Sequence, residues 1–179
     1  IEPAHAHQLA HLRDRLVYRP GGLVRPVRGE RVEDVADRGA WRQVSNANPQ
    51  VADFLLGEEE EVCWKSVDKK TTCGIVVKPV GYVPGKRYPL IVAIHGGPQS
   101  ADVLTFNGGY GSQVYAGDGY VVLKPNYRGS TNYGEAHKWG IVNDYFRKGY
   151  EDIMTGVDKL IADGLVDGDK MGVLGWSAG

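Results

Sequence analysis

The feature that most constrains the fold is a short apolar stretch, Met171–Gly175, that leads directly into Trp176-Ser177-Ala178-Gly179. Gly175 to Gly179 fit the pattern G-x-S-x-G, in which a serine lies at a sharp turn between a strand and a helix. Its neighbours must be small, because the turn strains the backbone and brings strand and helix close together. We therefore predict a buried strand at Met171–Gly175 and a Ser177 hydroxyl that projects into a cleft. A plain glycine-rich turn after a strand would satisfy the same pattern, so the rest of the chain must distinguish the two interpretations.

Two further apolar runs predict a parallel sheet. Tyr88–Ile94 and Tyr120–Pro125 are almost unbroken, as expected for strands covered on both faces. A loosely helical stretch lies between them at 109–116, and Tyr150–Asp163 has the apolar spacing of a helix. Strands and helices in alternation predict an α/β fold. We expect the segment 131–148 to be a polar, aromatic loop.

An antiparallel hairpin is predicted upstream of this sheet. Val62–Val67 and Thr72–Lys78 are rich in β-branched residues and flank the turn sequence Asp68-Lys69-Lys70. Cys63 and Cys73 lie on the two arms and could face each other. Because two cysteines do not make a disulfide framework, we expect free thiols.

The first third of the chain differs in composition from the rest. Eight of the eleven arginines fall in the first 42 residues, whereas all ten lysines come later. We predict an N-terminal segment and linker over 1–57 and a second domain over 58–179. The histidines His5, His7 and His11 suggest a metal site, but no carboxylate or cysteine completes a ligand set. No metal is predicted.

The overall composition is that of a globular protein. Apolar residues make up 42% of the chain and the net charge is −1, so we expect neither nucleic acid nor a membrane as a partner. No run approaches the roughly 20 apolar residues of a membrane span, and the start lacks the order of a signal peptide. The chain starts without Met and stops at the motif's last glycine. We expect a segment of a longer protein, and a cytoplasmic location is favoured.

A second glycine-rich block, His95-Gly96-Gly97-Pro98, ends the first long apolar strand. A serine hydrolase of this pattern needs a nucleophile, a base oriented by an acid, and two N–H donors for the oxyanion. One donor follows the serine, here Ala178, and the other comes from a glycine-rich loop after an earlier strand. The acid and base follow the serine in chain order, so neither His95 nor His137 fits as the base. We expect His95 to shape the oxyanion loop.

Three blocks resemble the prolyl oligopeptidase family of serine peptidases in sequence and order. They are His95–Pro98, Asn126–Gly134 and Gly175–Gly179. The resemblance covers about residues 58–179 and is greatest to the acylaminoacyl-peptidase and dipeptidyl-peptidase-like branches. It implies an α/β-hydrolase fold truncated after the nucleophile elbow, preceded by the hairpin and the N-terminal segment. A β-propeller usually precedes the hydrolase in this family, and Trp41–Gln50 resembles the exit from its last blade.

The same resemblance implies the site residues. Ser177 is the expected nucleophile, and the N–H groups of Gly97 and Ala178 are the expected oxyanion donors, with short peptides as substrates and no cofactor. We expect Arg128 to fix its loop through carbonyls or a carboxylate. Because no acid and histidine follow Ser177, the 179-residue chain alone is expected to be inactive. A carboxylesterase and a non-catalytic binding module with a hydrolase-like fold are the alternatives.

Overall fold

The computed structural model describes residues 17–19, 22–24, 46–106 and 109–179. The described residues form two compact units, which divide the chain between Leu55 and Leu56 and assign 104–106 to the first unit. In the first unit, the strands β1 (Val17–Arg19) and β2 (Gly22–Val24) pair antiparallel. A 3₁₀ helix spans Pro49–Asp53. The domain boundary after residue 57 and the propeller-exit interpretation stay predictions, and the three N-terminal histidines lie outside the described residues.

The second unit is built on a five-stranded sheet with the order β3-β4-β6-β5-β7. The first two strands pair antiparallel, β4 pairs antiparallel with β6, and β5 runs parallel to both β6 and β7. The predicted parallel sheet is therefore confirmed, with the predicted hairpin at one edge. Its strands are β3 (Glu59–Lys65), β4 (Thr71–Val77), β5 (Tyr88–Ile94), β6 (Val121–Asn126) and β7 (Val166–Gly175).

Helices cover the two faces of this sheet. The helix α1 (Ser112–Gly117) follows β5, and α3 (Arg147–Ala162) precedes β7. The predicted loop at 131–148 is partly wrong, because it contains the helix α2 (Glu135–Lys138) and a 3₁₀ turn at 139–141. Helices this short have little intrinsic stability, so sequence periodicity does not reveal them.

The core has one cluster on each face of the sheet. On the face covered by α3, Trp64, Leu90 and Leu123 pack against Val157 and Leu160. On the other face, Val77, Ala93 and Val122 pack against Ala116 of α1. Because side chains alternate along a strand, successive residues of β5 and β6 serve the two clusters in turn. No helix among the described residues has the length and apolarity needed to cross a membrane.

The two cysteines form a disulfide, so the prediction of free thiols is wrong. Cys63 and Cys73 are register partners in the β3–β4 hairpin, with their Cα atoms 4.0 Å apart. Directly opposed positions of this kind bring the two Cβ atoms close together. The sequence placed one cysteine on each arm, but the register that makes them opposite each other depends on the turn. Disulfides persist in oxidising compartments and are rare in the cytosol. The predicted cytoplasmic location is untested and stays a prediction.

The carboxyl ends of the parallel strands β5, β6 and β7 all lie along the same side of the sheet, which we call the carboxyl edge. The segments after β5, β6 and β7 therefore meet there, and these are the three sequence blocks that carry glycine, arginine and serine. Open α/β sheets place their functional sites at this edge.

Candidate active site

Ser177 lies in a strained turn at the end of β7. Its φ is 60°, in the left-handed region that non-glycine residues seldom adopt, and the residue is exposed. The turn is closed by a hydrogen bond from Gly179 N–H to Trp176 O, at 3.0 Å. A Cβ on Gly179 would lie 2.1 Å from Ile94 O, so only glycine lets the turn pack against the end of β5. This backbone geometry is that of a nucleophile elbow.

The loop after β5 contacts this elbow directly. A Cβ on Gly96 would lie 2.8 Å from Trp176 O and 3.2 Å from the Ser177 Cβ. The next residue, Gly97, is exposed and has a φ of 131°, which glycine alone adopts readily. The structure therefore brings Ser177 against the glycine-rich block that contains Gly97. Ala178, the other predicted donor, is partly buried within the elbow.

His95 supports this loop from beneath. The side chain is 5% exposed, and its ring stacks on the Tyr127 ring with centroids 4.9 Å apart. Its Nε2 lies 2.9 Å from Ser130 Oγ and its Nδ1 lies 2.9 Å from Gly96 O. With both ring nitrogens engaged, His95 is held as part of the loop's framework rather than as a free base.

Tyr127 and His137 complete that framework. The Tyr127 hydroxyl donates a hydrogen bond to His95 O at 2.8 Å, and burial raises the pKa of Tyr127 to about 12. His137 Nε2 lies 3.1 Å from both Asn126 O and Tyr127 O. This nitrogen therefore donates to backbone carbonyls. That His137 is not the catalytic base stays a prediction.

Arg128 anchors the loop after β6, as predicted, through a carboxylate. It is 2% exposed and donates from Nε and Nη2 to the two oxygens of Asp152, at 2.9 and 2.7 Å. Its backbone N–H also donates to Asp152, at 2.8 Å, and its Nη1 reaches Asp68 Oδ2 at 2.5 Å. The hydrogen bonds that Arg128 donates to Asp152 raise the pKa of Arg128, so the side chain stays charged although it is buried.

Sequence reasoning missed both carboxylate partners of Arg128. Asp152 is fully buried on α3, in a position where the helix periodicity calls for an apolar residue, and that mismatch was the available signal. Asp68 lies in the hairpin turn, 60 residues away in the chain, and only the tertiary fold brings it near.

The loops after β5 and β6 are also joined to each other. The Asn126 side-chain amide accepts from Asp102 N–H and donates to Asp102 O, both at 2.8 Å. Thr131 N–H donates to Ser100 O at 2.9 Å. A side-chain amide used in this way acts like a short strand partner, so Asn126 fixes the backbone of the preceding loop on the end of β6.

A surface pocket of about 310 Å³ opens beside this loop. Pro98 and Gln99 form one wall, and Lys138, Trp139 and residues 141–145 form the rest. A pocket of this volume and lining holds a side chain or a small ligand.

One cluster of potential metal ligands occurs among the described residues. The ligand atoms of Glu61, Cys63 and Cys73 lie within 4.8 Å of one another. Because a metal needs thiolates and these sulfurs are bonded to each other, the cluster does not fit a metal ion in this state. The absence of a metal or cofactor from the function stays a prediction.

Comparison with known proteins agrees with this geometry. The family model described as "Prolyl oligopeptidase family" matches residues 106–179. Dipeptidyl-peptidase 5 of Porphyromonas gingivalis is 31% identical over 79% of this chain and 21% of its own length. The uncharacterized peptidase YuxL of Bacillus subtilis is 34% identical over 77% of this chain and 21% of its own length. The chain thus spans about a fifth of the length of these curated relatives.

Solved structures show the same fold. An acylaminoacyl peptidase in complex with Z-Gly-Gly-Phe-chloromethyl ketone is 28% identical with a TM-score of 0.66, over 76% of this chain and 22% of that one. The Pyrococcus horikoshii acylaminoacyl peptidase is 25% identical with a TM-score of 0.67, over 90% of this chain and 24% of that one. The expected α/β-hydrolase fold is confirmed, and so is the expected resemblance to the prolyl oligopeptidase family, in the branch of the acylaminoacyl and dipeptidyl peptidases.

Proposed function

We propose that this chain supplies the nucleophile and the oxyanion hole of a serine peptidase. The observation that carries the proposal is the exposed, left-handed Ser177, packed against Gly96 where β5 and β7 end side by side. A serine held in this way can approach a carbonyl carbon without crossing other side chains.

In the proposed reaction, Ser177 Oγ attacks the scissile carbonyl and gives up its proton to a general base. The carbonyl oxygen becomes an oxyanion that accepts hydrogen bonds from the N–H groups of Gly97 and Ala178. The peptide C–N bond then breaks, the amine leaves with a proton, and an acyl-enzyme remains on Ser177. Water hydrolyses the ester and regenerates the serine.

The base and its acid are proposed to come from sequence beyond Gly179. The hydrolase order places both after the serine. His95 and His137 are supported in other roles by their contacts with Ser130, Gly96 and backbone carbonyls. The 179-residue chain alone is accordingly proposed to be inactive, since loss of any triad member removes most of the rate.

Short peptides are the proposed substrates. The relatives include proteins named dipeptidyl-peptidase 5, and a similar structure carries Z-Gly-Gly-Phe-chloromethyl ketone. The net charge of −1 supports a small peptide partner rather than nucleic acid. These names also favour the peptidase over the carboxylesterase and over the non-catalytic module.

The proposal is tested on the complete polypeptide that contains this chain. We expect a fluorophosphonate probe to label wild type and Ser112→Ala, a control in α1, but not Ser177→Ala. Hydrolysis of aminoacyl and peptidyl amides should fall about 10⁴-fold or more in Ser177→Ala. Rapid turnover of short-chain esters without amide hydrolysis would favour the carboxylesterase. No labelling and no turnover would favour the binding module.

The isolated 179-residue chain tests the proposal that this chain alone is inactive. We expect no turnover of either substrate class above the Ser177→Ala background. Turnover that Ser177→Ala abolishes would contradict the proposed need for a downstream acid and histidine.

A further inference from the structure

Lys124 is a buried lysine with no hydrogen-bond partner among the described residues. It lies on β6, the central strand between β4 and β5, and is 1% exposed. A buried ammonium group without a partner is strongly unfavourable, and lysine at such a position normally serves a nearby opposite charge. The reaction proposed above makes no use of this side chain.

Lys124 points to the face of the sheet that lies under the loop after β5. Alternation along β6 puts it on the same face as Val122, which packs with Ala93, and as Asn126. The same alternation along β5 puts His95 on this face, two residues beyond Ala93. Lys124 therefore lies on the same face of the sheet as His95 and Asn126, which support the loop that contains Gly96 and Gly97.

The opposite charge available there is the carboxylate of Asp102. Its Oδ2 is also buried and also lacks a hydrogen-bond partner among the described residues. Its backbone, by contrast, is clamped to the end of β6 by the two hydrogen bonds with Asn126. Burial raises the pKa of Asp102, and the nearby charges of Lys124 and His95 oppose that rise.

We propose that Lys124 is a positioning residue: its ammonium group pairs with the Asp102 carboxylate and so fixes loop 95–103, which carries the oxyanion donor Gly97. This role rests on the proposed function. A side-chain rotation or one bridging water molecule joins the two groups, as is usual for buried polar atoms. The pair fixes the carboxyl-terminal part of the loop, and His95 fixes its start.

The physical reason is preorganisation. An oxyanion donor acts only if it is already in place when negative charge develops on the carbonyl oxygen. Asn126 holds only the backbone of Asp102, so a loop whose Asp102 side chain is also held has fewer alternative conformations than one held through the backbone alone. If one partner of the buried pair is lost, the other remains an uncompensated charge, and the loop moves to hydrate it.

The test uses Lys124→Met, Asp102→Asn and the double variant, each in the complete polypeptide. Lys124→Met should lower kcat for a peptidyl amide by roughly 10- to 100-fold, while KM changes by less than about 3-fold, because the displaced donor acts in the transition state. Amide hydrogen exchange in residues 96–103 should become at least about 10-fold faster. The double variant, which removes both charges, should recover most of both losses.

The matched control is Lys78→Met. Lys78 directly follows β4, is largely buried and pairs with Glu60 at 2.9 Å, but it lies near the start of β6, at the end of the sheet away from the loop after β5. Its loss should leave kcat and the exchange of residues 96–103 unchanged. If Lys124→Met fails to fold, the isosteric Asp102→Asn tests the proposed pair instead, through kcat and the hydrogen exchange of residues 96–103.

The outcomes separate this inference from the proposed function. Equal losses in the double and single variants, or unchanged exchange in residues 96–103 of a folded single variant, would overturn the role of Lys124. Wild type that neither hydrolyses peptides nor reacts with a fluorophosphonate would overturn the peptidase proposal instead. Hydrogen exchange would then still decide whether Lys124 holds the loop.

Discussion

The loops after β5 and β6 and the elbow after β7 meet at one sheet edge but are held in different ways. In the first two, buried side chains such as His95, Asn126 and Arg128 make specific hydrogen bonds to backbone carbonyls, to a hydroxyl and to a carboxylate. The elbow is held by close backbone packing of Gly179 on Ile94. The Ser177 side chain is exposed and hydrogen-bonds to no other described residue.

This difference separates two parts of the proposed chemistry. The proposed donor Gly97 must be held in place before the reaction begins, and described side chains such as His95 and Asn126 support its loop. The nucleophile needs a base that accepts its proton, and the described residues leave the hydroxyl free for one. In the proposed reaction, the described residues support the oxyanion loop, and the base that accepts the Ser177 proton is proposed to come from other residues.

The largest expected effect comes from breaking the buried pair that holds the loop after β6. Arg128→Met leaves the Asp152 carboxylate buried without its partner, so the free energy of unfolding should fall by about 3–5 kcal/mol. The measurement is equilibrium denaturation in guanidinium chloride. Arg128→Met combined with Asp152→Asn should lose less, because no charge is stranded.

Arg147→Met is the control for this prediction. Arg147 also has two carboxylate partners, Asp144 and Glu151, but it is 65% exposed. Its loss should leave the stability nearly unchanged, because water screens surface pairs. If Arg147→Met and Arg128→Met proved equally harmful, the contrast between buried and exposed support would be wrong.

The Arg128 network also shows where sequence reasoning reached its limit. The strands β5 and β6 and the helix α3 follow from apolar patterns of 6 to 16 residues, so local sequence predicts them. The partners of Arg128 lie 24 and 60 residues away. Nothing in the local pattern pairs a hairpin-turn aspartate with an arginine beyond β6.

The candidate site likewise has features that local sequence predicts and features that depend on the tertiary fold. The motif around Ser177 and the glycine block at 95–98 were visible because each needs small residues at fixed spacing. The roles of Asn126, Asp102 and Lys124 were not visible, because they depend on which face of β6 a side chain occupies and on how the next loop folds over it. The disulfide was missed for a similar reason, since the hairpin register decides it.

Gly97→Ala is expected to have the second largest effect. A φ of 131° is strained for alanine, and the new Cβ would lie 2.6 Å from Gln99 N, so the oxyanion loop must shift. We expect kcat for peptidyl amides to fall about 100-fold, as for loss of one oxyanion donor. Gly117→Ala in α1 is the matched control, because its Cβ meets no atom within 4 Å. Equal activity of the two variants would argue against a rigid oxyanion loop.

A smaller effect is expected from Tyr127→Phe. Loss of the hydrogen bond to His95 O should lower the free energy of unfolding by about 1 kcal/mol at neutral pH. The pKa of Tyr127 is about 12 in the folded protein and about 10 when unfolded. The raised value stabilises the folded state below pH 10, and this contribution is lost as the pH rises to about 12.

Urea denaturation at intervals of about one pH unit between pH 8 and pH 12 measures this dependence. The stability difference between wild type and Tyr127→Phe should be constant up to about pH 10 and then shrink. A stability difference that stayed constant across this pH range would show that the pKa of the Tyr127 hydroxyl is not raised in the folded protein.

The smallest effect, and the only one of opposite sign, is expected at the elbow. Ser177→Gly removes the Cβ that strains a residue at φ 60°, although glycine also gains freedom in the unfolded chain. The net result should be a rise of about 0.5 kcal/mol in the free energy of unfolding, together with loss of fluorophosphonate labelling. Ser177→Ala keeps the Cβ and the strain, so it should lose labelling without gaining stability. If Ser177→Gly instead destabilised the protein as the loop substitutions do, the serine would be part of the elbow's support, and the contrast between the two regions would fail.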